Sequence, residues 1–376
     1  MYTLKDLSYQ KKIRSRDDLL RHMKEFSLKL KMSVGIWYFT PGGGRFHDSY
    51  VESKSIAERL KMAEGLAEYG ITGIEAHYPA EVNFDNLHLY QELEKNAGIK
   101  LVGVPFSHFF DKDFEFGSLS NPYPKIRDKA IQIAIDGLKL VRESGASSAI
   151  SWPGIDGYTY PLGTNFYWMW NNFEESMAAA MDQVPGVRIA IEPKPYEPAP
   201  NNIYRTTAEG ILAAQRIEKK LKNQENIALL NKCYSLVGLN PELGHVRMGG
   251  EEAPAAYSLV AMEGRLAHVH INSQPLGNYD QDLNVGVVEW QQAEGLMYAL
   301  KMVGYDEYFG IDINPERMPI KKAIEINTKA LRVMNERIDS LPHEKLIDSY
   351  LNPNNHRGDI ELLLIDSMMQ SEAPAK

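Results

Sequence analysis

The stretch RIAIEPKPYEP, Arg188 to Pro198, begins like a buried strand and ends in a carboxylate, a lysine and three prolines. Glu192 and Lys194 are two residues apart, so in an extended chain their side chains point to the same face. The prolines stiffen the segment after the strand, where a loose loop would blur the positions of both charges. We therefore predict that this strand ends at a functional site.

Seven other segments repeat this pattern of an apolar run followed by polar residues, and each is rich in β-branched or aromatic residues. The eight predicted strands are Met32 to Phe39, Ile71 to Tyr78, Ile99 to His108, Ser147 to Gly154, Arg188 to Pro195, Tyr234 to Glu242, Leu266 to Ser273 and Tyr308 to Pro315. Amphipathic stretches separate them, such as PKIRDKAIQIAIDGLKLVRESG, which ends at Gly145. Eight strand-then-helix units predict an α/β fold of the (β/α)8, or TIM barrel, type.

An open, doubly wound sheet is the other arrangement in which strands and helices alternate. It usually has fewer strands and a phosphate-binding glycine turn, GxGxxG, after the first one. The glycines that follow the first predicted strand, Gly42 to Gly44, do not fit that motif and indicate a flexible loop at an active site. The barrel is therefore the better interpretation.

The pattern divides the chain into three parts. Residues 1–31 are a polar leader with a predicted helix near Arg16 to Leu30, residues 32–337 form the catalytic barrel, and residues 338–376 form a tail. The tail contains one more predicted helix, DIELLLIDSMM. We expect the tail to contact another subunit of a homo-oligomer, either a dimer or a tetramer.

The composition is that of an ordinary globular protein, because 44% of the 376 residues are hydrophobic and 24% are charged. A formal net charge of -9 argues against a nucleic-acid partner, since phosphate binding needs clustered Lys and Arg. Cys233 is the only cysteine, which excludes an internal disulfide framework and a thiolate cluster. We see no signal peptide or membrane span and predict a cytoplasmic protein with no membrane partner.

The carboxyl ends of barrel strands face the active site, so polar residues there need a chemical reason. The residues at the eight predicted ends are Trp37, His77, Phe106 with His108, Trp152, Glu192 with Lys194, Glu242, His268 with His270, and Asp312. Any one of them is often a helix cap or a satisfied core group. Together, however, the carboxylates would repel one another unless they were protonated or bound to a cation. Oxygen ligands with one imidazole suit Mg²⁺, Mn²⁺ or Co²⁺ better than a structural zinc ion.

A second acidic set follows the seventh predicted strand in NYDQDLNVG, which contains Asp280 and Asp282. Two aspartates at this spacing usually mark a solvated turn. Here His245 stands three residues after Glu242, so that the Glu242 carboxylate could bridge one ion to another held by His245 and the two aspartates. The sequence therefore predicts a site for two divalent metal ions.

Three motifs resemble those of the metal-dependent xylose isomerases. They are IEPKPYEP, VGLNPELGHVRMGG and YDQDLNVG, and they stand in the same order and at comparable intervals to that family's motifs after strands five, six and seven. Weaker similarity over GIWYF, GIEAH, PFSHFF and AISWPG extends the resemblance from Met32 to Pro315. The resemblance implies a barrel enzyme that interconverts an aldose and its ketose by a metal-assisted hydride shift.

The resemblance also implies a role for each site residue. Glu192, Glu242, His270 and Asp312 would hold one cation, and Glu242, His245, Asp280 and Asp282 a second. Lys194 would hydrogen-bond a sugar oxygen, and His77 would assist ring opening. Trp37, Phe106 and Trp152 would wall a small sugar substrate, Asn272 would contact it, and Phe46 would reach into a neighbouring subunit's site.

Three departures from the family pattern fall at this site. His270 replaces an aspartate, Ala80 stands where the acidic partner of His77 is expected, and Asn314 replaces a lysine after the eighth strand. The imidazole removes a negative charge from the first cation's ligands and resembles the shell of rhamnose isomerases and ketose epimerases. Unless Glu81 or another acid substitutes for the missing partner, His77 would be a weaker base.

Two other functions fit the same residues. One is a ketose epimerase or carbon–glycoside lyase that uses the barrel for proton transfer in place of a hydride shift. The other is a non-catalytic protein that binds metal and sugar. Solvent deuterium incorporation distinguishes the first from an isomerase, and turnover on a panel of aldoses distinguishes the second.

Overall fold

Eight parallel strands curl into a barrel in the computed structural model of this chain, which describes residues 2–40, 51–315 and 318–370. The barrel strands are β1 Lys31–Gly35, β2 Ile71–Glu75, β3 Lys100–Pro105, β4 Ser148–Ser151, β5 Ile189–Ile191, β6 Val237–Leu239, β7 Val269–Ile271 and β8 Tyr308–Ile311. Consecutive strands pair from β1 to β6, β7 pairs with β8, and β8 pairs with β1. Parallel bridges from Leu239 to Leu266 and from Glu242 to His270 join β6 to β7. The predicted TIM barrel is confirmed.

The helices that the structure describes lie largely between and after these strands. They are α1 Arg16–Glu25, α2 Ile56–Glu64, α3 Leu87–Ala97, α4 Pro124–Ser144, α5 Phe166–Gln183, α6 Thr207–Glu218, α7 Gln224–Asn231, α8 Leu243–Met248, α9 Ala253–Met262, α10 Trp290–Val303, α11 Ile320–Ser340, α12 His343–Leu351 and α13 Asp359–Gln370. Local signals set several ends. Pro124 opens α4, and Gly145 closes it with a left-handed φ of 77°, a conformation that costs glycine little.

The observed strands are shorter than the predicted ones, because pairing stops before most of the polar residues at their ends. Residues Ile36–Phe39 form a 3-10 turn after β1, so Trp37 lies beyond the strand. A short antiparallel ribbon of Gly157–Tyr158 with Asn201–Asn202 joins the segments after β4 and β5, and no sequence pattern predicted it. Most of the predicted site residues therefore stand on the rim of the barrel, immediately past the strands.

The leader closes the opposite end of the barrel. Leu7 is buried against Ile150, Ala190 and Ala267, and the Gln10 side chain exchanges hydrogen bonds with the backbone of Leu266. The predicted leader helix ends at Glu25 rather than Leu30, since Phe26 is already extended.

The tail begins within a helix, because α11 runs from Ile320 to Ser340 and so crosses the predicted boundary at residue 337. Helix α12 follows, and an ion pair of 2.7 Å between Arg16 and Asp348 ties it to α1. On α13, Leu362 and Ile365 are exposed. The tail's contact with another subunit remains a prediction. Across the described residues, the helices are too short or too polar to span a membrane.

Candidate metal centre and active site

The first group of predicted ligands converges at the mouth of the barrel. Glu192 follows β5, His270 lies in β7, Asp312 follows β8, and Glu242 stands at the amino end of α8. The Nδ1 atom of His270 lies 3.2 Å from Glu192 Oε2 and 3.1 Å from Asp312 Oδ2. One ligand atom from each of the four residues lies within 4.8 Å of the others, which is close enough to share an ion.

The second group meets the first at Glu242. The Nε2 atom of His245 lies 3.1 Å from Glu242 Oε2 and 3.0 Å from Asp280 Oδ2, and these three side chains form a second set that could hold a metal ion. Asp282 lies beside this set, where its carboxylate accepts a hydrogen bond of 3.3 Å from the Asn272 amide. Its backbone has a φ of 45°, which is unusual for a residue other than glycine.

Buried carboxyl groups in these sets oppose one another in charge. Burial, and then the carboxylates of Asp280 and Asp312, raise the pKa of Glu242 well above its ordinary value. Burial and Asp280 raise the pKa of Asp282 in the same way. Burial also acts to raise the pKa of Glu192, but the neighbouring imidazoles of His270 and His245 and the Lys194 ammonium lower it overall. A divalent cation would relieve the conflict that otherwise keeps protons on two of these groups.

His270 faces carboxylates on both sides. Burial acts to lower its pKa, but Glu75, Glu192 and Asp312 raise that pKa well above its ordinary value. Among the described residues, no hydrogen-bond partner is correctly aligned with its buried Nδ1 atom, although two carboxylates lie close to it. The same holds for the buried Asp280 Oδ1 atom. Unused polar atoms of ligand type, aimed at a shared space, fit an ion between them.

Glu75 is a buried carboxylate at the candidate site that the sequence interpretation missed. It is the last residue of β2 and is only 1% exposed, and its carboxylate contacts the Nε2 atoms of both His268 and His270. Its position in ITGIEAHY was a usable signal, since an acid at the end of an apolar strand stands two residues before His77. The predicted site residues stand at the ends of longer predicted strands, whereas Glu75 lies three residues before the predicted end at Tyr78.

Two buried asparagines hold the glutamates. The Asn240 amide donates a hydrogen bond of 2.7 Å to Glu192 Oε2. The Asn272 amide donates one of 2.7 Å to Glu242 Oε1, and its carbonyl oxygen accepts one from the Gly244 N–H. Both ends of the Asn272 amide hold Glu242 and the start of α8, and the expected contact of Asn272 with substrate stays a prediction.

Lys194 reaches the second group. Its ammonium donates a hydrogen bond of 2.8 Å to Asp280 Oδ2 and lies 5.0 Å from the centre of the Trp152 ring. Burial acts to lower the pKa of Lys194, but Asp280 more than offsets it and the pKa is raised. The lysine is therefore a cation at neutral pH. It suits electrostatic stabilisation better than proton abstraction.

The missing acidic partner of His77 is replaced by Glu81. Glu81 Oε2 accepts a hydrogen bond of 2.7 Å from His77 Nδ1 and another of 3.0 Å from the His77 backbone N–H. Arg59 Nη1 lies 3.7 Å from the other oxygen of the same carboxylate. The carboxylate fixes the proton of the neutral imidazole on Nδ1, as an aspartate three residues after His77 was expected to do.

An aromatic wall stands around His77. The Trp37 ring centre lies 4.7 Å from that of His77, and Phe109 lies 5.4 Å from His77 and 5.0 Å from Trp152. The expected place of Phe106 in this wall is corrected. Its ring is 1% exposed and packs against Gly137 of α4, so it fills the layer between barrel and helices, and Phe109 takes its place. Phe46 lies outside the described residues.

A surface hollow of about 960 Å³ is bordered by Tyr158, Trp168 and Pro198 and by none of the predicted metal ligands. The mouth itself is narrowed by side chains that pair with one another. Donor chemistry, rather than free volume, therefore identifies the candidate site.

A TIM barrel whose strand ends carry two overlapping sets of carboxylates and imidazoles is typical of metal-assisted chemistry on polar small molecules. The family described as xylose isomerase-like TIM barrel matches residues 63–334. The chain belongs to this family.

Individual relatives are more distant. The xylose isomerase of Thermus thermophilus is 28% identical over 266 residues, which are 67% of this chain and 65% of the relative, so the chain spans about two thirds of that relative's length. Solved structures share the fold. L-ribulose 3-epimerase superposes with a TM-score of 0.58 at 14% identity, over 82% of this chain and 96% of its own. The 3-keto-D-glucoside 4-epimerase of E. coli has a TM-score of 0.55 at 14% identity, over 82% and 100%.

Proposed function

We propose that this protein is a metal-dependent sugar isomerase that interconverts an aldose and its ketose by a hydride shift. The observation that carries the proposal is the pair of ligand groups that share Glu242, beside a buried lysine and an aromatic wall. Similarity to a xylose isomerase supports a small sugar as the substrate class. Divalent cations, Mg²⁺, Mn²⁺ or Co²⁺, would polarise the oxygens of an open-chain sugar there.

Each group would have its own ligands. Glu192, Glu242, His270 and Asp312 would hold one cation, and Glu242, His245, Asp280 and Asp282 the other. Sharing a carboxylate places two positive charges close together, which suits a substrate with two adjacent oxygens.

Lys194 would stabilise the negative charge that develops on a sugar oxygen. It already lies against Asp280 in a position shielded from water, and its side chain is 5% exposed. In a site of low dielectric, a fixed ammonium interacts strongly with developing charge and needs no rearrangement during the reaction.

His77 would assist ring opening. Because His77 Nδ1 keeps its proton and donates it in a hydrogen bond to Glu81, the Nε2 atom is left to accept a proton from a ring hydroxyl of the sugar. Trp37, Phe109 and Trp152 would then exclude water while hydride moves between neighbouring carbons. Exclusion of water matters because water would protonate the migrating hydride.

Nuclear magnetic resonance of pentoses and hexoses in deuterated water tests the proposal. With Mg²⁺, Mn²⁺ or Co²⁺ added, we expect an aldose and its ketose to interconvert without deuterium entering at the reacting carbons, and turnover to stop when a chelator is added. Absence of turnover on every sugar would favour the non-catalytic function and overturn the proposal.

A second candidate is epimerisation or carbon–glycoside cleavage by proton transfer. One observation favours it: the carboxylates of Glu192 and Asp312, which follow different strands, both approach His270 Nδ1, so either could act as a base on a substrate held there. The same experiment separates the reactions. Deuterium at C2 or C3 of the product would indicate an enediolate and favour the second candidate.

A further inference from the structure

The carboxylate of Glu75 makes three hydrogen bonds inside the barrel, behind the first ligand group. Oε1 accepts one of 2.7 Å from Ser33 Oγ and one of 3.0 Å from His268 Nε2, and Oε2 accepts one of 2.9 Å from His270 Nε2. We propose that Glu75 is a positioning residue that sets which ring nitrogen of His270 faces the candidate metal centre. This inference rests on the proposed function.

The inference follows from the hydrogen-bonding capacity of a carboxylate. An ionised carboxylate only accepts hydrogen bonds, and Glu75 accepts them from Ser33 Oγ as well as from both histidines. His270 must therefore present an N–H at Nε2. The lone pair of its neutral form then lies on Nδ1, the atom that stands 3.1 Å from Asp312 and 3.2 Å from Glu192.

Glycines in β3 and β8 leave room for the contact between Glu75 and His270. A Cβ atom at Gly103 of β3 would lie 2.7 Å from Glu75 Oε2, and one at Gly310 of β8 would lie 2.5 Å from His270 Cδ2. Glycine inside a strand weakens it and often marks the close approach of another group. Because Gly103 and Gly310 have no side chains, the Glu75 carboxylate and the His270 imidazole can meet inside the barrel.

Glu75, His268 and His270 could themselves bind an ion, since their ligand atoms lie close together. Hydrogen bonds explain the geometry better. The distances of 2.9 and 3.0 Å are those of N–H···O bonds, and Ser33 occupies a further lone pair of Oε1. An ion would require both histidines to face it with bare nitrogens, which would leave the Nδ1 atom of neutral His270 protonated toward Glu192 and Asp312.

Replacement by glutamine makes the role measurable. A glutamine amide has one accepting oxygen and one donating nitrogen. Two donors, Ser33 and His268, already point at the position of Oε1, so the amide oxygen belongs there and the NH₂ group falls opposite His270 Nε2. Glu75→Gln therefore drives His270 to carry its proton on Nδ1, where it cannot bind a cation.

Calorimetric titration with Mn²⁺ alone, without sugar, is the first test. Glu75→Gln should weaken binding about 10- to 100-fold, the usual effect of removing a partner behind a metal-binding histidine. Ser33→Ala is the matched control, because it removes a buried hydrogen bond to the same carboxylate but leaves both histidine contacts. Its Mn²⁺ affinity should match that of the parent, and an equal loss in both variants would overturn the inference.

The second test has one readout in the parent protein alone. In the Mg²⁺-loaded parent, ¹⁵N resonance of labelled histidines should show His270 protonated at Nε2 and bare at Nδ1, and Glu75→Gln should reverse this pattern. A proton on Nδ1 in the parent, or unchanged Mn²⁺ affinity in Glu75→Gln, would overturn the inference. If the parent binds Mn²⁺ with the expected pattern but converts no sugar, the proposed function fails and the inference about Glu75 survives.

Discussion

Half of the candidate metal centre is built on strands and half on loops, and the two halves are held in different ways. Glu192, His270 and Asp312 stand in or immediately after β5, β7 and β8, so the barrel itself sets their separation. Asp280 and Asp282 stand in the long segment between β7 and α10. In this segment, side chains hold the backbone in place. The Asp280 N–H donates to Glu197 Oε2 at 2.8 Å, and the Gln281 N–H donates to Gln274 Oε1 at 3.0 Å.

The difference indicates where motion can occur. Strand positions are preorganised by a ladder of backbone hydrogen bonds, whereas a loop rearranges when a few side-chain contacts change. We therefore expect the cation on the strand-built half to bind tightly and the cation on the loop-built half to adjust during the reaction. Glu242 belongs to both halves and couples them.

The largest expected effect comes from removing that shared ligand. Glu242→Gln should weaken both Mn²⁺ sites by more than about a hundredfold, beyond the loss seen for a partner behind a ligand, and abolish turnover. Asp282→Asn should weaken only the loop-built site. Calorimetric titration would measure how many Mn²⁺ ions each variant binds. Loss of a single site in Glu242→Gln would contradict the shared role.

A second change breaks the strand-built half from within. His270→Asp restores the residue type expected from the xylose isomerases, but it removes one of the three hydrogen-bond donors to Glu75 and adds a second buried negative charge beside it. We expect the free energy of unfolding to fall by about 3–5 kcal/mol, as when one partner of a buried ion pair is removed. Urea unfolding of the metal-free protein would measure it.

The control for this change is the double variant Glu75→Gln, His270→Asp, which should recover part of the lost stability because one of the two adjacent buried negative charges is gone. Asp282→Asn, a matched change in the loop-built half, should cost less than about 1 kcal/mol, since burial already favours its neutral form. Equal losses of unfolding free energy in His270→Asp and Asp282→Asn would contradict the difference between the two halves.

Lys194→Met tests the edge of the loop-built half. It should lower kcat about 100- to 1,000-fold, like the loss of one group that stabilises developing charge, while both cations still bind. Steady-state kinetics with parallel Mn²⁺ titration would show the separation. A nearly normal kcat would assign Lys194 to a structural ion pair with Asp280.

Glu81→Gln tests a side chain that lies away from both metal groups. We expect kcat to fall about tenfold or more, because the amide no longer fixes the His77 proton on Nδ1, with Mn²⁺ affinity unchanged. In a His77→Gln background the same change should have no further effect. An additional loss there would mean that Glu81 acts through Arg59 instead.

The smallest expected effect is on pH-dependent stability. Glu242, Asp282 and His270 all have a raised pKa in the folded, metal-free protein, so the folded state holds more protons than the unfolded state at neutral and alkaline pH. Stability should therefore fall as pH rises above about 4, the unfolded value of the two carboxyl groups, toward those raised values, with His270 contributing above about 6.5. Thermal unfolding at several pH values would measure it, and saturating Mn²⁺ should abolish the slope.

Sequence patterns were sufficient for the barrel. Eight apolar runs, each followed by a helical stripe, leave few topologies that bury every apolar face, and strand order then follows from short, right-handed connections. Residues that stand just past a strand, such as Glu192 and Asp312, were found for the same reason, since parallel strands end at one rim.

The failures concern side-chain direction and pairing across distant segments. Phe106 and Phe109 are both aromatic residues near one strand end, and only packing against Gly137 of α4 decides that Phe106 turns away from the mouth. The sequence also offered no sign that the Asn272 amide bonds Gly244 and Glu242, which lie about thirty residues away in the chain.

The sequence by itself determined the fold and the chemical types gathered at the rim, because periodicity and strand ends are local properties of the chain. Only the tertiary structure decided that Glu75 stands behind His270 and that Glu81 serves His77. Glu75 and His270 lie 195 residues apart and on strands that are not neighbours, so their contact exists only once the barrel closes and two glycines leave room for it.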